Sequence, residues 1–289
     1  MKKQILFIIN PNSGNKRGAE IVKWLPQYLD KDKFDYSHKL TERAQHATEI
    51  AQDAVKEGID IVAAVGGDGL VNEVFQSLVN TDTAFTIIPK GSGNGVARSL
   101  GIPMNIKKAL NNLNEAKYSK MDTATFNDQP YLGVAGIGFD GLIAWEFAKT
   151  KKRGVLSYVK LILQQLSAYE SSTYRITFNN EVKEFDAFII TIANTQQYGN
   201  DAYIAPQAEL DNGLLDLVVI KKHSKWLLPL LAIRIMNKSI HKYKYVEILK
   251  ASRFTVESIF EQSHIDGEPI LAQNQNVVSV LPHSLKIYS

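Results

Sequence analysis

Ile61-Val62-Ala63-Ala64-Val65, followed at once by Gly66-Gly67-Asp68-Gly69, is the stretch on which the fold turns. Its uninterrupted apolar run has the length and composition of a strand buried on both faces, as in a parallel sheet. Three glycines around one aspartate permit backbone conformations and close approaches that side chains would block. Helical spacing resumes at Val71 and predicts a helix over 71–79. Its free N–H groups would face the loop and make an anion site suited to nucleotide phosphates. Asp68 could then hold magnesium, directly or through water.

Outward from this point the first 115 or so residues repeat the alternation. Strands are expected over 5–9, 34–40, 59–65 and 85–88, and helices over 17–29 (Ile21, Val22, Leu25, Leu29), 44–55 and 71–79. Repeated β–α–β units predict a doubly wound α/β nucleotide-binding domain, with ligands beyond the carboxyl ends of its strands. Two more loops fall at such ends: Asn10-Pro11-Asn12-Ser13-Gly14, and Gly91-Ser92-Gly93-Asn94-Gly95 after Ile87-Ile88-Pro89. Thr41 adds a hydroxyl at the same edge. Any one of these loops reads equally well as a tight turn. Three at the strand ends of one sheet favour a phosphate site. The Gly-x-x-x-x-Gly-Lys-Ser/Thr loop is missing, and Gly91-Ser92-Gly93-Asn94-Gly95-Val96 departs from the dinucleotide fingerprint at its third glycine, which ranks hydride transfer low.

From about Tyr118 strand-like stretches follow one another: 121–126, 131–134, 173–178, 187–193, 214–220 and several after Tyr243. Helices are expected only near 142–149, 156–169 and 225–237. The second half therefore reads as a mainly antiparallel β, sandwich-like domain. The expected division is 1–117 and 118–278.

Composition narrows the function. Hydrophobic residues at 45% and charged residues at 22% suit a globular protein. Cysteine is absent, which excludes disulfides, thiolate metal sites and cysteine nucleophiles. A net charge of +3 is too small to imply a nucleic-acid partner. The basic start Met1-Lys2-Lys3 leads into an apolar run too short for a secretion signal, and no stretch approaches the ~18 apolar residues of a membrane span. A cytoplasmic location is expected.

The three loops in order, Asn10-Pro11-Asn12-Ser13-Gly14, Gly66-Gly67-Asp68-Gly69 with Asn72-Glu73, and Pro89-Lys90-Gly91-Ser92-Gly93-Asn94, resemble the motifs of the diacylglycerol kinase catalytic-domain family, which sphingosine and ceramide kinases share. The likeness continues through Asp122, Gly136-Ile137-Gly138-Phe139-Asp140, Asp211-Asn212-Gly213-Leu214 and Ile265-Asp266-Gly267-Glu268-Pro269, and so covers nearly the whole chain. The resemblance implies two domains, ATP with magnesium, a lipid acceptor, and a C-terminal segment (279–289) that completes the first domain. It assigns the loop residues from Asn10 to Gly14, Thr41, Gly66 to Gly69, Asn72, Glu73 and Gly91 to Asn94 to the nucleotide.

Phosphoryl transfer needs charge neutralisation on the phosphates and a carboxylate to take the acceptor's proton. By the residues alone, Asp266-Gly267-Glu268 is a solvated hairpin turn; by resemblance it carries the base, assigned jointly to Asp266 and Glu268. Asp68 is the candidate for organising magnesium. Asp122 reads either as a strand-edge aspartate or, by resemblance, as part of a carboxylate–water–metal network. Asp140 reads as a structural turn or as a contact to the lipid hydroxyl. Asp211-Asn212-Gly213 reads as a hairpin turn; bacterial relatives carry a structural magnesium there, and Asn212 removes the acid next to the glycine, leaving Asp211 to substitute. Leu70, where diacylglycerol kinases usually have threonine, and Gly95, where many have aspartate, look more like sphingoid-base kinases. Gly138-Phe139-Asp140 and Asp266-Gly267-Glu268 look more like bacterial diacylglycerol kinases.

The 225–237 stretch is densely apolar, starts near Trp226 and leads into Lys238, His241, Lys242 and Lys244. It suits either a core helix with solvated ends or one that rests in an anionic membrane interface. Lys149 to Arg153 ahead of Val155 makes a second such pairing. The expected partners are thus a lipid substrate at a membrane surface, through transient peripheral contact, with a homodimer as a compatible assembly. His46, His223, His241 and His264 share no ligand spacing and read as surface or structural histidines. Two rivals remain: a soluble-substrate kinase of the NAD-kinase or phosphofructokinase type, which also uses a Gly-Gly-Asp loop, and a nucleotide sensor without transfer activity.

Overall fold

In this computed structural model the described residues are 2–16, 18–150, 155–166 and 168–289. They form two compact units, Met1–Thr123 with Pro282–Ser289, and Ala124–Leu281.

In the first unit the apolar runs become β1 (Lys3–Ile9), β3 (Ile61–Gly66) and β4 (Ala84–Pro89), buried almost end to end. The more polar β2 (Phe34–Leu40) is exposed along most of its length, as an edge strand should be. All neighbours are parallel, in the order β2–β1–β3–β4. The order therefore reverses between β1 and β3, the switch point where open α/β sheets bind ligands. Beyond β4 the end of a long last strand joins in parallel, Ile287 opposite Phe85. Between strands run α1 (Ser13–Lys16), α2 (Leu25–Tyr28), α3 (His46–Lys56), α4 (Asp68–Gln76), α5 (Gly95–Ser99) and α6 (Ile106–Asn112). The helix expected over 17–29 is not continuous. Gly18–Lys23 is a 3-10 segment, and α2 restarts with Pro26 in its first turn, where proline's missing N–H leaves no bond unmade.

The second unit contains β6 (Gln129–Tyr131), β7 (Val134–Gly138), β8 (Ser172–Phe178), β9 (Glu181–Ala193), β10 (Leu215–Lys221), β11 (Val246–Ala251), β12 (Arg253–Glu257), β13 (Gln262–Ile265) and β14 (Glu268–Leu271). Every pairing among them is antiparallel. The long β9 organises the unit: its first half pairs with β8, and its second half has β7 on one edge and β10 on the other. Alternate residues of these strands, among them Ile137, Tyr174, Ile176, Ile190, Ile192, Leu217 and Val219, form one buried cluster. Its helices are α7 (Phe139–Ala148), α8 (Val155–Leu166) and α9 (Leu228–Met236). Lys151, Lys152 and Arg153 of the second basic–apolar pairing lie outside the described residues.

Three hairpin turns place both central residues at positive φ: Asn127-Asp128, Asn179-Asn180 and Asp266-Gly267. These are the residue types that tolerate such backbone, and the sense matches strand twist. Asn212-Gly213 differs. Only Gly213 has positive φ, and β10 pairs with β9 and β11 rather than with a strand just before the turn. The hairpin expected there is instead the end of a long irregular loop.

β5 (Tyr118–Phe126) and β15 (Gln275–Tyr288) each continue through a change of unit. The units change at Thr123/Ala124 and Leu281/Pro282; sequence rhythm puts the first change at 117/118, and the family resemblance implies the second at 278/279.

Candidate active site

In the first unit the loops after β3 and β4 touch backbone to backbone. A Cβ added to Gly91 would lie 2.5 Å from Gly67 Cα, so no larger residue fits without parting the loops. The loop after β1 meets the same group, because the Lys90 methylenes lie across Gly14. Asn10 shapes its loop from within: its Oδ1 accepts the Asn12 N–H at 2.9 Å and its carbonyl accepts Ser13 N–H and Oγ–H. The Thr41 N–H donates to Ile9 O at 2.9 Å, which puts Thr41 beside Asn10 at the sheet edge. Asn12, Gly14, Gly69 and Ser92 are exposed around this cluster, while Pro11, Ser13, Gly67, Gly91, Gly93 and Asn94 are half-buried.

Asp68 holds two of these loops together. Its Oδ2 accepts the Asn94 N–H at 2.9 Å and its Oδ1 accepts the Gly95 N–H at 3.0 Å. Asn94 in turn brackets Gly91, accepting its N–H at 3.0 Å and donating to its carbonyl at 2.9 Å. Burial pushes the Asp68 carboxyl above its ordinary value, against the pull of those N–H groups and of Arg98. The N–H groups at the start of α5 are therefore occupied by a carboxylate of the protein itself. Asn72 accepts from Gln76 Nε2 at 2.9 Å. Glu73 is committed elsewhere: its carboxylate accepts the Ala47 N–H at 3.2 Å, serving the start of α3, whose Gln45 makes no side-chain cap. Asp122 is fully buried, and its Oδ1 accepts the His283 N–H at 2.7 Å.

In the second unit the two acids of the β13–β14 turn part ways. Asp266 accepts the N–H groups of Leu132 (2.8 Å), Gly133 (2.7 Å) and Val134 (3.1 Å), and its own N–H donates to Val134 O at 2.8 Å. Burial pushes its carboxyl up; the three N–H groups and His264 oppose that. Glu268, at the start of β14, is exposed. Of the pair, Glu268 is the exposed acid.

Asp140, in the first turn of α7, is also buried rather than presented. Its Oδ2 accepts from Thr191 Oγ1 at 2.9 Å and Tyr198 OH at 2.8 Å, and lies 3.2 Å from His264 Nε2. Burial pushes Asp140 up, but His264 and the two hydroxyls outweigh it and hold the carboxyl below its usual value. For His264 burial pulls the opposite way, and Asp140 raises it. On the ring's other side the Gly267 N–H lies 3.3 Å from Nδ1, a bond that forms when Nδ1 carries no proton and Nε2 does. None of His264, Thr191 and Tyr198 was legible as a group; they are separated from Asp140 by more than fifty residues each and share no motif.

Asp211 is exposed, and Asn212 Oδ1 accepts the Leu214 N–H at 2.9 Å. Nearby in sequence, Asp216 is buried and paired with Lys250 at 3.0 Å. Among the described residues no three acidic or histidine side chains converge, so no metal geometry attaches to Asp68, Asp122 or Asp211.

A family model described as the diacylglycerol kinase catalytic domain matches residues 4–126, and one described as the YegS C-terminal NAD kinase beta sandwich-like domain matches 133–289. The chain belongs to the diacylglycerol kinase catalytic-domain family. Its relatives include the Staphylococcus saprophyticus protein named diacylglycerol kinase, 25% identical over 273 residues, with 93% of this chain and 90% of the relative covered. The Bacillus subtilis protein of the same name is 26% identical over 272 residues, covering 92% and 90%. A Bacillus anthracis crystal structure titled as a diacylglycerol kinase matches with a TM-score of 0.75 over all of this chain and 97% of its own, at 22% identity, a likeness of fold alone. All three strand-end loops and Asp122 fall within the catalytic-domain match of the diacylglycerol kinase family; Asp140, Asp211, Asp266 and Glu268 fall within the second model.

Proposed function

We propose that this member of the diacylglycerol kinase family transfers the γ-phosphoryl group of ATP to a hydroxyl of diacylglycerol or a sphingoid-type lipid. The observation that carries the reading is the meeting of three strand-end loops where the parallel sheet reverses its order, with Asp68 fastening two of them. Exposed backbone there can cradle phosphates at close range.

Glu268 is the base. Its carboxylate takes the acceptor hydroxyl's proton as the oxygen–phosphorus bond forms and the bond from the γ-phosphorus to ADP breaks. Asp266 keeps the turn in place. Bound magnesium would neutralise phosphate charge; Asp68 and Asp122 are the carboxylates that would hold it. Asp68 fits that role in part, since each of its half-buried oxygens can accept beyond the N–H it holds and magnesium completes its shell readily with water and phosphate oxygens; Asp122, fully buried, fits it less well.

The lipid is met at a membrane surface. No helix among the described residues is long and apolar enough to cross a bilayer. α9 buries Leu231 and packs Leu228 and Ile235 on the core, so one face is a core helix. The other leaves Ile233 58% and Trp226, just ahead of it, 92% exposed, with Met236 and Leu230 alongside. Lys225, Lys238, Lys242 and Lys244 flank the helix in sequence, a composition that suits an anionic interface. Replacing Trp226 and Ile233 together by serine is expected to lower co-sedimentation with phosphatidylglycerol vesicles about tenfold or more while ATP binding stays as in the parent. Equal sedimentation would remove the membrane role from this face.

The test of the function is turnover of labelled ATP with magnesium against micelles of diacylglycerol, sphingosine, ceramide and monoacylglycerol, with NAD and sugar phosphates in parallel. Label is expected in one lipid. NAD belongs in the panel because the second family model bears the NAD kinase name; label in NAD or a sugar would move the chain to a soluble-substrate kinase. ATP binding with no label anywhere would make it a nucleotide sensor.

A further inference from the structure

We infer that His264 is a positioning residue for phosphoryl transfer: bridged between Asp140 and the Gly267 N–H, it fixes the turn that presents Glu268. The inference rests on Glu268 being the base.

The turn is Asp266-Gly267, and it is held at both residues. From one side Asp266 is fastened to Leu132, Gly133 and Val134 by the bonds described above. From beneath, the Gly267 N–H ends on His264 Nδ1. A histidine can accept there only while its proton is on Nε2, and the Asp140 carboxylate 3.2 Å from Nε2 receives that proton's hydrogen bond. Thr191 and Tyr198 steady Asp140 in turn. Trp145, from the same helix as Asp140, donates its indole N–H to Ser263 O at 3.0 Å and Ile270 O at 3.2 Å, binding α7 to both strands of the hairpin. The chain of contacts thus runs from α7 through an imidazole to the backbone next to Glu268.

The surrounding strands make room for it. Gly136 of β7 lies opposite His264 on one side and Thr191 on the other. A Cβ on Gly136 would stand 2.3 Å from Asp140 Oδ2 and 2.4 Å from His264 Nε2. The sheet thus leaves out a side chain on β7 to house an ionisable pair. A buried pair of this kind is a poor source of stability compared with apolar packing. Its cost is understandable if orientation, not stability, is what it supplies.

The test uses the full chain, diacylglycerol micelles and ATP, with kcat, the ATP KM and thermal midpoints measured for His264→Phe, His264→Asn and Glu268→Gln. Phenylalanine keeps the ring's bulk and loses both bonds; asparagine can return an acceptor near the Nδ1 position. His264→Phe is expected to lower kcat about ten- to a hundredfold, the scale of a misplaced catalytic group, with the ATP KM within about twofold of the parent. His264→Asn should recover a large part of that loss. A structural role alone predicts kcat losses that follow the melting temperatures, without rescue by asparagine, and that result would overturn the inference. Should His264→Phe fail to fold, Asp140→Asn with Thr191 and Tyr198 intact takes its place, and parent-level kcat in that variant overturns the inference equally. If Glu268→Gln keeps parent activity, the base assignment fails; if it is inactive while a folded His264→Phe keeps parent kcat, the base stands and the positioning role falls.

Discussion

Glu268→Gln is expected to lower kcat by about a hundred- to ten-thousandfold, the range associated with a positioned proton acceptor. The same variant should melt within about half a kcal/mol of the parent, because Glu268 is exposed at the start of β14 and glutamine keeps its shape. The contrast with Asp266 makes the experiment decisive. Asp266→Ala would strand three buried N–H groups, each left unpaired at about 1–3 kcal/mol, and should fail as a fold before it fails as a catalyst. Two acids separated by one glycine are thus expected to give opposite signatures, one in turnover and one in stability. Turnover that survives Glu268→Gln would remove Glu268 from the chemistry.

The second large effect is at Asp68. Asp68→Ala releases the Asn94 and Gly95 N–H groups, and with them the fastening between the loops after β3 and β4. Hydrogen bonds to a charged acceptor are worth about 1.5–3 kcal/mol each. ATP affinity, followed by titration calorimetry with magnesium, is expected to fall about tenfold to several hundredfold, and turnover with it. Asp68→Asn retains one acceptor oxygen and should fall between parent and alanine. ATP binding unchanged in Asp68→Ala would show that the loops hold their shape without the carboxylate and that its role lies in turnover alone.

How much of this was legible in sequence depended on the range of the interaction. The alternation of apolar runs and glycine loops gave the doubly wound unit and the β-rich unit, because strand burial and helical spacing are local properties. The break between Gly18–Lys23 and α2 escaped the reading because an interruption of apolar spacing is faint over a single turn. Within the site, the three loops were visible as motifs, but their joining by Asp68 was not: a carboxylate that caps its own protein's helix leaves the same letters as one that awaits a metal. Asp266 and Glu268 were indistinguishable for a similar reason. What separates them is the path of residues 132–134, far away along the chain. The Asp140–His264 pair was hidden altogether, since the glycine that makes space for it, Gly136, reads in sequence as part of a turn-rich motif rather than as a vacancy in a strand.

The last segment of β15 belongs to the first unit, where Ile287 lies beside Phe85 and the Ser284 carbonyl receives the Asn80 N–H at 2.7 Å. During synthesis residues 282–289 leave the ribosome after all of 124–281. The β-rich unit can therefore close while the parallel sheet still lacks this strand. The usual N-terminal-first order is inverted for the finishing step. The three strand-end loops sit in the unit that this strand completes, so their sheet is whole only once 282–289 have joined it.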